Sequence, residues 1–287
     1  MEIYRSIDEM KKRSNELRAE AKSIGLVPTM GFFHDGHLKL MKEAMDKDNF
    51  VVVSIFVNPL QFGPNEDFDE YPRNEERDLK LAEKMGVHAV FIPTTQEMYP
   101  VEPSIAMKVT KRTNVLCGSK RPGHFDGVVT VLTKLFNIIQ PTRAYFGEKD
   151  AQQLAVVDSL VNDFNFPLQL IGVPTAREHN GLAKSSRNVF LSDTEKKEAV
   201  WIFKALHAGK QLALSGENNT DTIINEVTKM VVSHTSGVVE YVELLGYPGL
   251  QKIRSMDETV ILAMAVQFKR ARLIDNLIFN LDEYNHT

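Results

Sequence analysis

The sequence predicts an α/β protein: a doubly wound parallel sheet followed by a smaller C-terminal α+β domain. Three observations carry that expectation. Strand-like and helix-like runs alternate from Ile24 to Pro93, a pattern that right-handed crossovers turn into a parallel sheet. Phe50 to Val57 is almost continuously apolar and β-branched, as a strand covered on both faces must be. Beyond Leu191 the texture changes to two long helical patterns and then three strand-like runs with no helix between them.

Taken in order, Ser6-Ile7-Asp8-Glu9 has capping-box spacing and opens a loosely amphipathic helix that ends near Gly25. Ile24 to Val27 reads as a strand, and Leu38, Met41 and Met45 recur at helical spacing after it. Phe50 to Val57 stops at Asn58-Pro59, because proline cannot continue a ladder. Residues 63–73 read as an exposed loop, Asn74 to Gly86 as a helix and Val87 to Pro93 as a strand. Between 94 and 120 only Ile105 to Val109 alternates like a strand, in a stretch suited to an insertion over the site. Val128 to Gln140 is a helix whose apolar positions 128, 131, 132, 135, 136 and 139 form one stripe. Arg143 to Phe146 and Leu168 to Val173 are strands flanking a helix from Ala151 to Asn162. The second domain holds helices at Asp193 to Leu214 and Thr220 to Thr235, then strands at Val238 to Leu245, Thr259 to Phe268 and Arg272 to Phe279. The boundary falls near 176–190, giving domains 1–176 and 177–287.

Composition narrows the function classes. A net charge of −4 and no block of five like charges speak against a nucleic-acid surface. One cysteine, Cys117, excludes an intramolecular disulfide and a multi-cysteine zinc site. No signal peptide or membrane-spanning run is visible, so a cytoplasmic location is expected.

Chemistry concentrates at strand-to-helix turns. Gly31 and Gly36 allow positive φ or close backbone approach, and the helix after them begins near His34 and His37, which its first turn places on one face. That pair reads either as a capping arrangement or as an anion site, where two imidazoles join a half-positive helix end. Asn58 and Gln61 lie just past a strand's carboxyl end, where open α/β sheets bind ligands. Arg121 and His124 precede a helix start, an unfavourable place for a cation unless an anion or carboxylate shares it; an ordinary solvated Arg and a capping His are the other reading. Gly147-Glu148-Lys149-Asp150 forms another glycine turn, with Lys149 as a point charge for phosphate, Asp150 as N-cap or ligand, and Gln153 one turn in on the same face. Lys184, Ser185, Ser186 and Arg187 offer many donors and no obligatory acceptor, which suits a di- or triphosphate.

His34-Asp35-Gly36-His37 between a strand and a helix resembles the HxGH signature of a nucleotidyl-transferring superfamily. With Pro28-Thr29-Met30-Gly31 before it, the turn resembles the pantothenate synthetase (pantoate–β-alanine ligase) family. The resemblance extends to Phe56-Val57-Asn58-Pro59-Leu60-Gln61-Phe62, Tyr71-Pro72-Arg73, Arg121-Pro122-Gly123-His124-Phe125, Phe146 to Asp150 with Gln152-Gln153, Ser185-Ser186-Arg187-Asn188 and Ala271 to Asn276. It implies a Rossmann-like enzyme that condenses pantoate with β-alanine using ATP, with Mg²⁺ held mainly by the phosphates and no protein metal site, through a pantoyl-adenylate, in a cytoplasmic homodimer. Carried onto this chain, it implies that Met30, Gly31, Phe32, Phe33, His34, Asp35, Gly36 and His37 bind ATP, with His37 as proton donor or phosphate contact. Gly147, Glu148, Lys149, Asp150 and Ala176 would cradle the nucleotide, and Lys184 to Arg187 would close over its phosphates. Gln61 and Gln153 would hold pantoate, with Asn58, Arg121 and His124 as further contacts to pantoate or β-alanine. Many relatives carry Met where this chain has Lys184, whose ammonium reaches either phosphate or water.

Three rival readings make different demands. An adenylyltransferase acting on a phosphorylated substrate wants extra cations, whereas Gln61 and Gln153 are neutral. A non-catalytic nucleotide sensor expects a damaged residue set. A tRNA synthetase relative wants a basic anticodon-binding region.

Overall fold

A computed structural model describes residues 1–64, 66, 68–253 and 258–280. Two compact units emerge: residues 1–110, 121–148 and 156–174 form the first, and 111–120, 149–155 and 175–287 the second.

The first unit is built on a six-stranded, wholly parallel sheet. Its elements are β1 (Glu2–Tyr4), α1 (Ile7–Ala19), β2 (Ile24–Thr29), α2 (Asp35–Lys47), β3 (Phe50–Ile55), α3 (Glu75–Lys84), β4 (Ala89–Phe91), α4 (Thr95–Met98), α5 (His124–Ile139), β5 (Arg143–Gly147) and β6 (Gln169–Val173), with α6 (Ala151–Asp163) before β6. α6 enters this unit from Val156. Strand order is β1-β4-β3-β2-β5-β6. The sheet grows one way from β2 through β3 and the other way through β5, so the direction reverses between β2 and β5, where such sheets bind ligands. Val51, Val52 and Val53 of β3 are fully buried, as the apolar run requires. Met41, Val53, Val90 and Tyr145 share one core cluster with Phe33.

The sequence expectations hold for β2 to β6, with three differences. β1 precedes α1 and pairs with β4, and its three residues are too short to show a periodicity. No strand forms at 105–109. Ile105 is 81% exposed, while the Val109 N–H donates to Asp126 Oδ1 at 2.8 Å, so this alternating stretch is tied to a side chain instead of a ladder. α5 begins at His124, four residues before the expected Val128, because Gly123 takes φ 80° and starts the helix without a side-chain cap. His124 is therefore the first helical residue. Within the expected loop 63–73, Asn65 and Asp67 lie outside the described residues.

The second unit contains α7 (Asp193–Leu214), α8 (Thr220–His234) and an antiparallel sheet of β7 (Val238–Gly246), β8 (Val260–Gln267) and β9 (Arg272–Phe279) in that order. Both helix starts are capped: Ser192 and Glu195 form a reciprocal box, and the Asn219 side chain accepts from Asp221 and Thr222. Leu206, Ile223, Val227, Leu262 and Met264 are fully buried in one cluster. The start of α6 packs into this unit, where Ala151 and Ala155 join Leu116, Leu245 and Ile261.

Candidate active site

In the first unit the chain leaves β2 through a turn whose polar groups are largely paired. The Gly31 N–H donates to Thr29 Oγ1 at 3.1 Å. Gly31 takes φ 84° and Phe32 φ 50°, and the second costs about 1–2 kcal/mol for a residue with a side chain. The Phe32 and Phe33 amides both donate to the Asp78 carboxylate of α3, at 2.6 and 2.8 Å. Arg77 adds a bond from Nη2 to the Phe33 carbonyl at 2.9 Å, with its guanidinium 5.1 Å from the centre of the Phe32 ring. Phe33 itself is fully buried and belongs to the core.

His34 and His37 then cap α2 reciprocally. The Gly36 N–H donates to His34 Nδ1 at 3.1 Å, and the His34 N–H donates to His37 Nδ1 at 3.2 Å. A nitrogen that accepts from an amide carries no proton, so each neutral ring bears its proton on Nε2. The rings lie 4.1 Å apart, tilted by 38°. A side chain at residue 36 would place its Cβ 2.8 Å from the His34 ring, which is why glycine stands there. The capping and anion-site readings of the histidine pair are therefore compatible: Nδ1 closes the helix start while Nε2–H is the donor edge.

Past β3, Asn58 is wholly buried and its amide is committed. Its Nδ2 donates to Gln61 Oε1 at 3.1 Å and to the Gly127 carbonyl at 3.0 Å, and its Oδ1 accepts from the Tyr99 hydroxyl at 3.0 Å. At the start of α5 the expected carboxylate partner of Arg121 is Glu66, gripped at 2.7 Å by Nε and 2.5 Å by Nη2. Burial pushes the Glu66 carboxyl up, but the Arg121 bonds and charge outweigh it and hold it below the ordinary range. Arg121 Nη1 also donates to His124 Nε2 at 3.0 Å, and His124 Nδ1–H donates to the Gln61 carbonyl at 2.8 Å. His124 therefore carries its proton on Nδ1, the reverse of His34 and His37. β5 ends at Gly147, next to β2, and Glu148 follows half-buried.

In the second unit, Lys149, Ser185, Asn188 and Asp275 line one small cavity of about 10 Å³. The structure thus brings together two segments far apart in sequence. Asn276 Nδ2 holds the Lys149 carbonyl at 2.9 Å, and Arg177 makes a bidentate pair with buried Asp275 at 2.6 and 2.9 Å. The Lys184 N–H donates to the Ala176 carbonyl at 2.9 Å, so Ala176 anchors the polar loop through its backbone. Lys184 Nζ stands 3.7 Å from Glu178 Oε1, a carboxylate partner that neither reading of this lysine included. Ser185 caps the turn Ser186–Phe190 by accepting from the Arg187 N–H at 3.3 Å, and Ser186 is buried. Asp150 is exposed and sits inside the helical stretch that starts at Glu148, so it does not cap α6. Gln152 and Gln153 differ: Gln152 is 5% exposed and bonded to Gly118, Arg112 and Val115, whereas Gln153 is half-buried.

Asp78, Tyr99 and Glu66 were missed from the sequence. Only Asp78 left a trace there, as a carboxylate at the helical spacing of Ala82 and Met85. Among the described residues no group of three or more His, Cys, Asp or Glu could hold a metal ion.

Known proteins resemble this chain over almost its whole length. The family model described as pantoate-beta-alanine ligase matches residues 2–278. The chain is 54% identical to a pantothenate synthetase of Bacillus pumilus over 283 residues, 99% of this chain and 98% of that protein. It is 52% identical to the Bacillus velezensis protein of the same name, covering 97% of each. Among solved structures, pantothenate synthetase from Thermus thermophilus superposes with a TM-score of 0.90 at 40% identity, over 96% of this chain and 99% of that one. The pantoate-beta-alanine ligase of Francisella tularensis, complexed with beta-gamma ATP and beta-alanine, gives 0.82 at 32% identity, covering 97% of each chain. A match spread over the whole length, on a fold whose histidine turn lies at the reversal of the sheet, leads to one conclusion: the chain belongs to the pantoate–β-alanine ligase family.

Proposed function

We propose that this chain condenses (R)-pantoate with β-alanine to pantothenate, consuming ATP and releasing AMP and pyrophosphate. The observation that carries the reading is the histidine turn at the carboxyl end of β2, with both Nδ1 atoms bound to amides and both Nε2–H edges as donors.

In the first step a pantoate carboxylate oxygen attacks the α-phosphorus of ATP and pyrophosphate leaves. The carboxylate is already ionised, so the protein supplies alignment and charge stabilisation instead of a base. His34 and His37 act as neutral donors toward developing phosphate charge, with Met30, Gly31, Phe32, Asp35 and Gly36 shaping the nucleotide side of the turn and Phe33 supporting it from the core. Lys149 and Arg187 bring point and forked positive charge, Lys184 a further cation, and Ser185 and Ser186 hydroxyl donors. The backbone at Gly147, Glu148, Asp150 and Ala176 lines the nucleotide. Gln61 and Gln153 offer their amides to pantoate, while Asn58 acts through Gln61. In the second step the neutral amine of β-alanine attacks the acyl carbon, loses a proton and expels AMP. Arg121 and His124, as further contacts to pantoate or β-alanine, would have to exchange their bonds to Glu66 and to the Gln61 carbonyl for bonds to the substrate.

In the same reading a Mg²⁺ ion is held mainly by the ATP phosphates, whose oxygen ligands and retained waters suit it. Domains divided at 176/177, a homodimer and a cytoplasmic setting, all drawn from sequence and family resemblance, belong to the same proposal. No described helix is long and apolar enough to cross a membrane. Product analysis tests the reaction. AMP and pantothenate should form in equal amounts only when ATP, pantoate and β-alanine are all present; ADP, or AMP release indifferent to pantoate, contradicts it.

A further inference from the structure

Asp78 is 1% exposed, lies on α3 far from the histidine turn in sequence, and has no part in the reaction just described. Burial pushes its carboxyl upward, against the pull of two amides and Arg77. A carboxylate is thus kept where solvation alone disfavours it.

Its partners explain why. Gly31 and Phe32 are consecutive left-handed residues, and the Phe32 and Phe33 amides converge on one point. Successive amides in such a turn form a concave anion-binding nest of the kind that holds phosphate in other proteins. Here the protein's own carboxylate fills it, with one oxygen on each amide. Arg77, the preceding residue, grips the Phe33 carbonyl, so two neighbours on α3 hold three successive peptide units, two through their N–H groups and the third through its C=O. The next residue along the chain is His34, the N-cap of α2.

Resting on the ligase reading above, we propose that Asp78 is a positioning residue for the histidine turn. It fills the nest, fixes the backbone that delivers His34 and His37 to their capping geometry, and keeps the Phe32 and Phe33 amides from the nucleotide. Phosphate is then met at this turn by imidazole Nε2–H donors, not by the loop amides that a glycine-rich turn suggests.

Asp78→Asn tests this with little change of volume. It leaves one acceptor oxygen and turns an NH₂ toward an amide N–H. The expected result is a kcat about 10²-fold lower, the loss associated with displacing catalytic groups by about 1 Å, with the KM values for pantoate and β-alanine held. Nitrogen NMR of the imidazoles should show Nε2–H tautomers at His34 and His37 in the wild type and mixed tautomers in the variant. A variant with wild-type kcat, or one whose loss lies in KM with tautomers unchanged, overturns the proposal. Should the variant not fold, titrating the wild type with a non-hydrolysable ATP analogue decides: the imidazole signals should move and the Phe32 and Phe33 amide signals hold, and the opposite pattern overturns it. Failure of the ligase reading is separate, because it appears as a wild type that makes no pantothenate.

Discussion

The histidine turn and the Lys149/Lys184–Arg187 segments, both proposed above to meet phosphate, are held by different means. In the turn, the cap bonds settle where each imidazole proton sits, and Asp78 takes the two amides that precede them. In the other region the charges ride on long side chains. Lys184 is paired with Glu178 at 3.7 Å, and the rigid parts are the backbone anchors, Ala176 to Lys184 and Asn276 to Lys149. The difference teaches that one region fixes neutral donors through cap bonds, while the other carries its charge on long side chains over an anchored backbone.

Substitutions can break that contrast. The largest effects belong to the side chains proposed to face the reacting phosphate. His37→Ala and Lys149→Ala should each slow adenylation by roughly 10²–10³-fold, the scale of losing one preorganised donor. They should part company in salt: the His37 deficit stays constant because the ring is neutral, whereas the Lys149 deficit shrinks as ions screen the wild-type charge over a Debye length of about 8–10 Å. Single-turnover adenylation rates at low and high salt make the comparison, and identical salt responses would erase the distinction.

A smaller effect concerns the carboxylate beside α5. Arg121 depresses the Glu66 carboxyl, so its ionised form is favoured in the folded state. Stability from a depressed acid is present above the unfolded-state value, about 4.3, and is lost as pH falls through the folded value. Glu66→Gln should therefore be less stable than wild type by about 1 kcal/mol or less near neutrality, the pair being partly solvent-exposed, and the gap should close in acid. Denaturant melts at pH 7 and pH 3 measure it; a gap that widens in acid contradicts the ion-pair account.

Smallest of all is Lys184→Met. Stability should change by about 0–1 kcal/mol, as for other exposed pairs. If the ammonium leaves Glu178 for phosphate when ATP binds, ATP affinity should drop at low salt and recover toward wild type at high salt. Equal affinities at low salt would confine this lysine to its pairing with Glu178.

Much of this was legible in the sequence because period and punctuation are local. The apolar run of β3, the stripe of α5 and the capping residue Ser6 each declare themselves within a few positions, and the alternation of elements implies the sheet. The histidine turn was visible as a motif, and the start of α5 announced its need for an anion, which Glu66 meets. What stayed hidden was set by distance and by atom. The bond from Phe33 to Asp78 spans 45 residues, and only the folded sheet brings α3 under the turn. Which nitrogen of His34, His37 or His124 carries the proton depends on backbone groups that no residue pattern specifies. Asn58 was read as a ligand contact from its place beyond a strand, yet its burial and four bonds show a side chain spent inside the protein, acting on Gln61. Gln152 and Gln153 are adjacent and identical in type, and only packing separates the buried clip from the half-buried amide.

Isotope exchange between ATP and pyrophosphate, with pantoate present and β-alanine absent, tests the proposed chemistry most directly. Reversible formation of a pantoyl-adenylate requires label to pass from pyrophosphate into ATP at a rate that depends on pantoate. Folded protein that makes pantothenate yet shows no pantoate-dependent exchange would contradict the adenylate route and, with it, the roles given to both phosphate-directed regions.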